Sequence, residues 1–489
     1  MINDNNQEGD KLLRKITENR FFNGILKVSL SNIVSLMSGV LVGFLVPKMM
    51  GLEGYANYKI YTLYLTYLAL LSLGVGDGLY LKFSGIDKEK LNIEQISHYL
   101  HIYYFQLFLL VSIACFSACV FAKSEYRFIL ISLALVIASS QITAIHQNLS
   151  IITSRFNEYS TRVVTKSVLT SLLVVVLFVI YRISRNEISY RLYIVGVILI
   201  DYILAIWYMI TYREFNFRKN KIKINYGLKY YELIIMGFPL LLSNMAGTIF
   251  LNLDRQFVSI LFPREDYAIY AFAYNMLTLI TTMTSAVSIV LFPSLKKIHN
   301  IDVKLSFSKH FTIFTMIVPI CLLVYFPLHY IVCGFLPKYI LSLKIFRIVL
   351  PGIMLSSSVS VIFINYYKIE NVVNRYFTKT VVSIGISAIL NYIAYVATKS
   401  YESISWTSII SLMIWYGLVL AFFVRKYNVL WKKNYIFMII CMCAFYLITF
   451  FIKSLPICCV SYCFILFILM RLFFSQELQG LIKQMREKR

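Results

Sequence analysis

Two charged residues stand side by side in an otherwise apolar run: Asp254 and Arg255, within LSNMAGTIFLNLDRQFVSILF, 242–262. An ionised side chain in hydrocarbon is costly unless it faces protein or water. On a helix with Asn244 set at zero, Thr248 falls at about 40°, Asn252 at about 80°, Arg255 at about 20° and Ser259 at about 60°. Ile249, Leu253, Phe257 and Ile260 fall on the other side. The spacing predicts a polar stripe of Arg255, Asn244, Thr248 and Asn252 lining a water-accessible cavity. Asp254 lies about 80° to the other side of that stripe's origin, where it reaches a neighbouring helix. A second reading stands: Arg255 snorkels to the interface, or the two form a structural pair.

Other intramembrane polar residues carry further chemistry. Asp201 sits mid-way along RLYIVGVILIDYILAIWYMITYR, 191–213. A carboxylate at that depth is a candidate for proton or sodium coupling, because burial favours its neutral form. A hydrogen-bonded structural Asp is the alternative. Asp77, in LSLGVGDGLY, is a candidate for ion coupling or charge pairing near a helix end. His146, Asn148 and Arg155 close an apolar segment and could collect an anionic head group at a cytoplasmic entrance; a solvated helix end is the simpler alternative. Lys59 is expected to snorkel, and Asn275, Asn365 and Asn391 to make helix–helix hydrogen bonds.

The elements that must position these residues are membrane helices. Of 489 residues, 59% are hydrophobic and 14% charged, which excludes an ordinary soluble domain. About 20 apolar residues cross the hydrocarbon core. Fourteen spans are expected, near 24–48, 55–81, 99–122, 127–150, 163–182, 190–211, 232–262, 266–292, 310–333, 344–367, 379–398, 404–424, 435–452 and 456–474. An even number of crossings with 33 of the 47 Lys+Arg on one side places both termini in the cytoplasm. The net charge of +24 therefore sets topology and contacts anionic membrane lipids, rather than nucleic acid. The first 22 residues lack an apolar stretch ending in a cleavage site, so no cleaved signal is expected. The nine cysteines lie mostly inside apolar runs without a zinc-ligand cluster, and no cofactor is expected.

The chain repeats itself. Leu30-Ser31-Asn32 recurs as Leu242-Ser243-Asn244 and Tyr55-Ala56-Asn57-Tyr58 as Tyr267-Ala268-Ile269-Tyr270, both 212 residues on; Thr165-Lys166 recurs 213 on as Thr378-Lys379. The duplicated unit has six helices, so both copies enter the membrane in the same direction, and substrate is expected at their interface. In the first copy Asn32, Ser35, Gly39 and Gly43 occupy the cavity face, with Gly43 in the place of Arg255. The glycines serve equally as helix-packing positions. The expected organisation is a cytoplasmic segment 1–23, an N-lobe 24–211, a linker 212–231, a C-lobe 232–424, two further helices over 425–474 and a basic tail 475–489. The fold class is an all-α polytopic membrane protein of about 14 transmembrane helices: two parallel six-helix lobes and two C-terminal helices. Every loop is short, and there is neither a phosphate loop nor an HExxH, so transport is favoured over catalysis.

The segments SLSNIVSLMSGVLVGFLVPKMMGLEGYANYKIY (29–61), GFPLLLSNMAGTIFLNLDRQFVSILFPREDYAIYAFAYNM (237–276) and LFPSLKK (291–297) resemble the Wzx-type polysaccharide repeat-unit flippases of the MOP exporter superfamily. The resemblance covers nearly the whole chain. It implies movement of an undecaprenyl-pyrophosphate-linked oligosaccharide, of O-antigen or capsule, to the outer leaflet of a bacterial cytoplasmic membrane by alternating access, driven by a proton or sodium gradient and alongside a polysaccharide polymerase. Arg255 matches the family's Asp-Arg position. The rivals are a lipid II flippase or a cation-coupled drug exporter of the same fold, and, from another class, a polysaccharide polymerase.

Overall fold

The structure, a computed structural model, describes residues 27, 30–84, 91–218, 225–295, 303–429 and 431–487. The basic loop residues 219–224 and the Lys296–Lys297 end of the third family segment lie outside these. The helices are α1 (Leu30–Met49), α2 (Leu52–Leu65), α3 (Val75–Phe83), α4 (Ile93–Phe121), α5 (Ser124–Ile152), α6 (Phe156–Ser184), α7 (Tyr190–Thr211), α8 (Arg213–Asn216), α9 (Asn225–Leu261) and α10 (Arg264–Leu295). They continue with α11 (Val303–Ile317), α12 (Tyr325–Phe335), α13 (Ser342–Val349), α14 (Gly352–Ser357), α15 (Ile364–Ile369), α16 (Val373–Thr398), α17 (Tyr401–Tyr427), α18 (Trp431–Phe451) and α19 (Leu455–Glu487). Eleven helices among the described residues are long and apolar enough to cross a membrane, and two bent pairs bring the number to 13. α10, 32 residues long, occupies the remaining expected span. The chain is an all-helical polytopic membrane protein of about fourteen spans.

It divides into two compact units, Met1–Met245 and Ala246–Arg489. In the first, the span expected as one helix over 55–81 is broken: α2 ends at Leu65, a 3-10 turn runs Leu68–Ser72, and α3 departs at 53°. Leu73 and Gly74 take positive φ (50° and 79°), a conformation glycine adopts without a Cβ clash. Freed carbonyls in a membrane need protein donors. The Gln141 Nε2 amide donates to the Leu68 carbonyl at 2.7 Å and Gln106 Nε2 to that of Leu71 at 3.3 Å. Gln106 in turn accepts from the Tyr230 hydroxyl at 2.6 Å. α9 then packs on the break so closely that a Cβ on Gly237 would lie 2.0 Å from the Gly74 carbonyl oxygen.

The second unit has its own interruptions. The span expected over 344–367 bends by 48° between α13 and α14, at Pro351, which has no backbone N–H to continue the ladder. A π-turn over Ser358–Phe363 follows. Aromatic rings fill the space around it: Phe307 stacks on Phe423 at 4.5 Å and meets Tyr366 edge-on at 5.0 Å. Between α16 and α17 the Thr407 hydroxyl donates to Asn391 Oδ1 at 2.8 Å, the helix–helix bond expected of that asparagine.

Candidate functional site

α9 carries Asp254 and Arg255 into the second unit, where they line a cavity of about 350 Å³ with α10, α14, α16 and α17. Asp254 is buried and its carboxylate is fully engaged. Oδ1 accepts the Arg255 backbone N–H at 2.7 Å, and Oδ2 accepts the hydroxyls of Tyr270, at 2.9 Å, and of Tyr274. Asp254 thus ties α9 to α10. The Arg255 guanidinium lies 4.8 Å from the centroid of the Tyr274 ring and donates only a long bond, 3.4 Å, to the Leu251 carbonyl. Its buried Nε has no hydrogen-bond partner among the described residues. Asp254 therefore positions the aromatic platform beneath Arg255, while the guanidinium keeps donor capacity toward the cavity.

The rest of the wall mixes apolar side chains, such as Leu277, Val349, Ile353 and Leu412, with hydroxyls. α10 contributes Thr278 and Thr281, α14 contributes Ser356 and α17 contributes Ser408. Each donates to a carbonyl of its own helix, at 2.9, 3.0, 3.4 and 2.8 Å respectively. Such an oxygen retains acceptor capacity for a ligand O–H. The chamber thus combines one cation with hydroxyl acceptors.

The stripe predicted from the sequence is rotated relative to this cavity. Phe250, Leu251, Asp254 and Arg255 line it; Asn244, Thr248 and Asn252 do not. Asn252 turns back to donate to the Thr248 carbonyl at 2.8 Å and is buried, and Asn244 is exposed. The four lining residues of α9 centre between Leu251 and Asp254, at about −50° on the earlier wheel, so only Arg255 belongs to both faces.

In the first unit a cavity of about 250 Å³ is lined by Ser35, Ser38 and Gly39 of α1, by Gln147, and by Arg162 and Lys166 of α6. Asn32 and Gly43 lie outside it; Gly43 is buried. Arg162, 2% exposed, pairs with Glu158 and Thr211 and sits 4.6 and 4.4 Å from the rings of Trp207 and Tyr208. Lys166 Nζ pairs with Asp201 at 2.7 Å. Asp201 is therefore a charge-paired residue joining α7 to α6. The sequence reading passed over Arg162; the available signal was Arg-x-x-Thr-Lys at 162–166, repeated at 375–379.

The residues expected at a cytoplasmic entrance are engaged with protein. His146 is fully buried: Nδ1 lies 2.7 Å from the Ile142 carbonyl, Nε2 lies 2.9 Å from Asn216 Nδ2, and the ring stacks on Tyr208. Asn216 of α8 thus meets His146 of α5. Arg155 pairs with Glu214 of α8 and lies 5.0 Å from the Tyr212 ring, so it joins α8 rather than waiting for a ligand. Asn148 faces Gly76, where an added Cβ would lie 2.8 Å from its Nδ2. Asp77 lies in the first turn of α3, where a carboxylate suits the helix dipole. Lys59 lies over the rings of Tyr55 and Tyr58, at 5.3 and 5.5 Å.

A family model described as "Polysaccharide biosynthesis protein" matches residues 21–299, more than half of the chain. The chain belongs to that family. Its fold is shared with solved transporters. "Lipid II flippase MurJ, inward closed conformation" matches at TM-score 0.65 and 14% identity, over 94% of this chain and 100% of that one. An inward-facing multidrug resistance MATE family transporter of the MOP superfamily matches at TM-score 0.60 and 14% identity, over 83% and 98%. A MATE protein in complex with Br-NRF matches at 0.52 and 13%, over 83% and 96%. No curated protein sequence matches this polysaccharide biosynthesis family member.

Proposed function

We propose that this family member is a flippase carrying an undecaprenyl-pyrophosphate-linked oligosaccharide repeat unit, of O-antigen or capsule, from the inner to the outer leaflet of a bacterial cytoplasmic membrane. A glycan bearing a pyrophosphate cannot cross hydrocarbon unaided, because each hydroxyl and charge loses its water. The observation that carries the reading is the second-unit cavity: Arg255 with an unpartnered Nε among the described residues, beside the hydroxyls of Thr278, Thr281, Ser356 and Ser408, whose protons are taken by their own helices. Arg255 would hold the phosphate or an acidic sugar, and the hydroxyls the sugar O–H groups. A drug exporter taking cations would need an available carboxylate here, and the oxygens of Asp254 are occupied by two tyrosines and a backbone N–H.

Alternating access between the two lobes, with both termini cytoplasmic, delivers the unit to the polymerase machinery outside. Coupling to a proton or sodium gradient is assigned to Asp201, where the incoming cation replaces Lys166 as partner; Asn substitution then removes the pH dependence of transport in reconstituted vesicles. The experiment for the function is deletion of the gene. Cytoplasm-facing lipid-linked repeat units accumulating in the inner leaflet are the expected result. Single repeat units delivered to the cell surface would indicate a missing polymerase and overturn the reading.

A further inference from the structure

The duplicated pair Arg162/Lys166 and Arg375/Lys379 is neutralised in one copy and not in the other. In the first unit Glu158 takes Arg162 and Asp201 takes Lys166. Counting 213 residues on, Glu158 becomes Asn371. α17, which follows α16 as α7 follows α6, has a single carboxylate, Glu402, in its first turn. Glu402 pairs with Lys344 at 2.6 Å, at the other end of the helix from Arg425.

Arg375 and Lys379 instead share a concavity of about 470 Å³ with Arg425 and Lys426. Its floor is Phe422: Arg375 Cζ, Lys379 Nζ and Lys426 Nζ lie 5.6, 5.7 and 5.9 Å from that one ring centroid. Lys426 pairs with Glu370. Among the described residues no carboxylate pairs with Arg375, Lys379 or Arg425. An aromatic face attracts cations but carries no net charge, so the concavity keeps an excess of three positive charges. Arg375 and Lys379 also sit in the first two turns of α16, whose start has no side-chain cap. Cations are disfavoured there and anions favoured.

We propose that this concavity binds the phosphate of an anionic phospholipid head group, in the leaflet that the charge pattern assigns to the cytoplasm. The occupant's charge completes what Glu158 and Asp201 supply in the other copy. Arg375, Arg425 and Lys426 are exposed and can close on a head group, with the Phe422 ring beneath.

The test uses the full chain in neutral detergent, with thermal unfolding followed as phosphatidylglycerol or phosphatidylcholine is added, and native mass spectrometry of retained lipid. Wild type gains several degrees with phosphatidylglycerol and little with phosphatidylcholine. Arg375→Gln/Lys379→Gln/Arg425→Gln loses most of that gain and at least one retained phosphatidylglycerol. Arg182→Gln/Lys399→Gln/Lys453→Gln, which removes as many cations elsewhere, keeps both. Without lipid the first variant unfolds no earlier than wild type, since it relieves like-charge repulsion; an earlier transition means the cluster is satisfied internally and overturns the site. An unchanged phosphatidylglycerol gain in that variant also overturns it. Displacement of the lipid by millimolar inorganic pyrophosphate, with an equal gain, assigns the concavity to a soluble anion and overturns the lipid.

Discussion

Arg255 and Asp254 are neighbours in sequence that do different work. Asp254 is spent on Tyr270 and Tyr274, and this leaves the guanidinium above the Tyr274 ring as the cation of the cavity. Losing a hydrogen bond to a charged group costs about 1.5–3 kcal/mol, or roughly 10- to 100-fold in affinity. Arg255→Ala is therefore expected to abolish surface polysaccharide at unchanged protein level, and Arg255→Lys to restore part of it; normal surface glycan in the Ala variant, scored on blots, removes Arg255 from the mechanism. The pair Asp201–Lys166 is half-exposed on the lysine side, so its contribution is discounted to about 1–2 kcal/mol. Asp201→Asn should lower the unfolding temperature and Lys166→Met, added to it, should recover the loss. The presence of Asp254-Arg255 and Asp201 was legible in the sequence because charge in a hydrocarbon span stands out. Their partners were not, because the tyrosines and Lys166 lie on other helices.

At the scale of elements, the broken second span decides how α9 can approach. A side chain at Gly237 would overlap the Gly74 carbonyl, and overpacking of this kind costs about 1–3 kcal/mol. Gly237→Ala is expected to unfold at lower temperature in detergent, while Gly39→Ala, with nothing within 4 Å of the added methyl, should be silent; equal transitions for the two would show the contact to be plastic. Hydropathy located these spans but not their breaks. Residues 66–74 are apolar enough to read as helix, and the glutamines that satisfy their carbonyls come from α4 and α5. The helical wheel similarly placed Arg255 on the right side of α9 but centred the polar face about 90° away, since it could not know that Asn252 would bond to its own helix.

For the whole molecule, the charge count proposes a topology that can be checked directly. A phosphatase fusion after Arg185 should be active and one after Arg218 inactive in intact cells, because these residues fall in loops on opposite sides; the reverse pattern would invert every assignment of cavity mouth and lipid leaflet made from charge. The sequence by itself determined the class and the number of spans, since these follow from hydrocarbon thickness; the duplication and the sidedness it proposes, from self-similarity and from the distribution of Lys and Arg along one chain. Only the tertiary structure decided which charges are neutralised. A carboxylate beside a cation in sequence need not face it, and a partner 35 residues away, as Asp201 is from Lys166, comes within bonding distance only when helices pack. That is why Arg162 and Lys166 turn out paired, why among the described residues no carboxylate pairs with Arg375 or Lys379, and why Arg255 faces the cavity of the second unit.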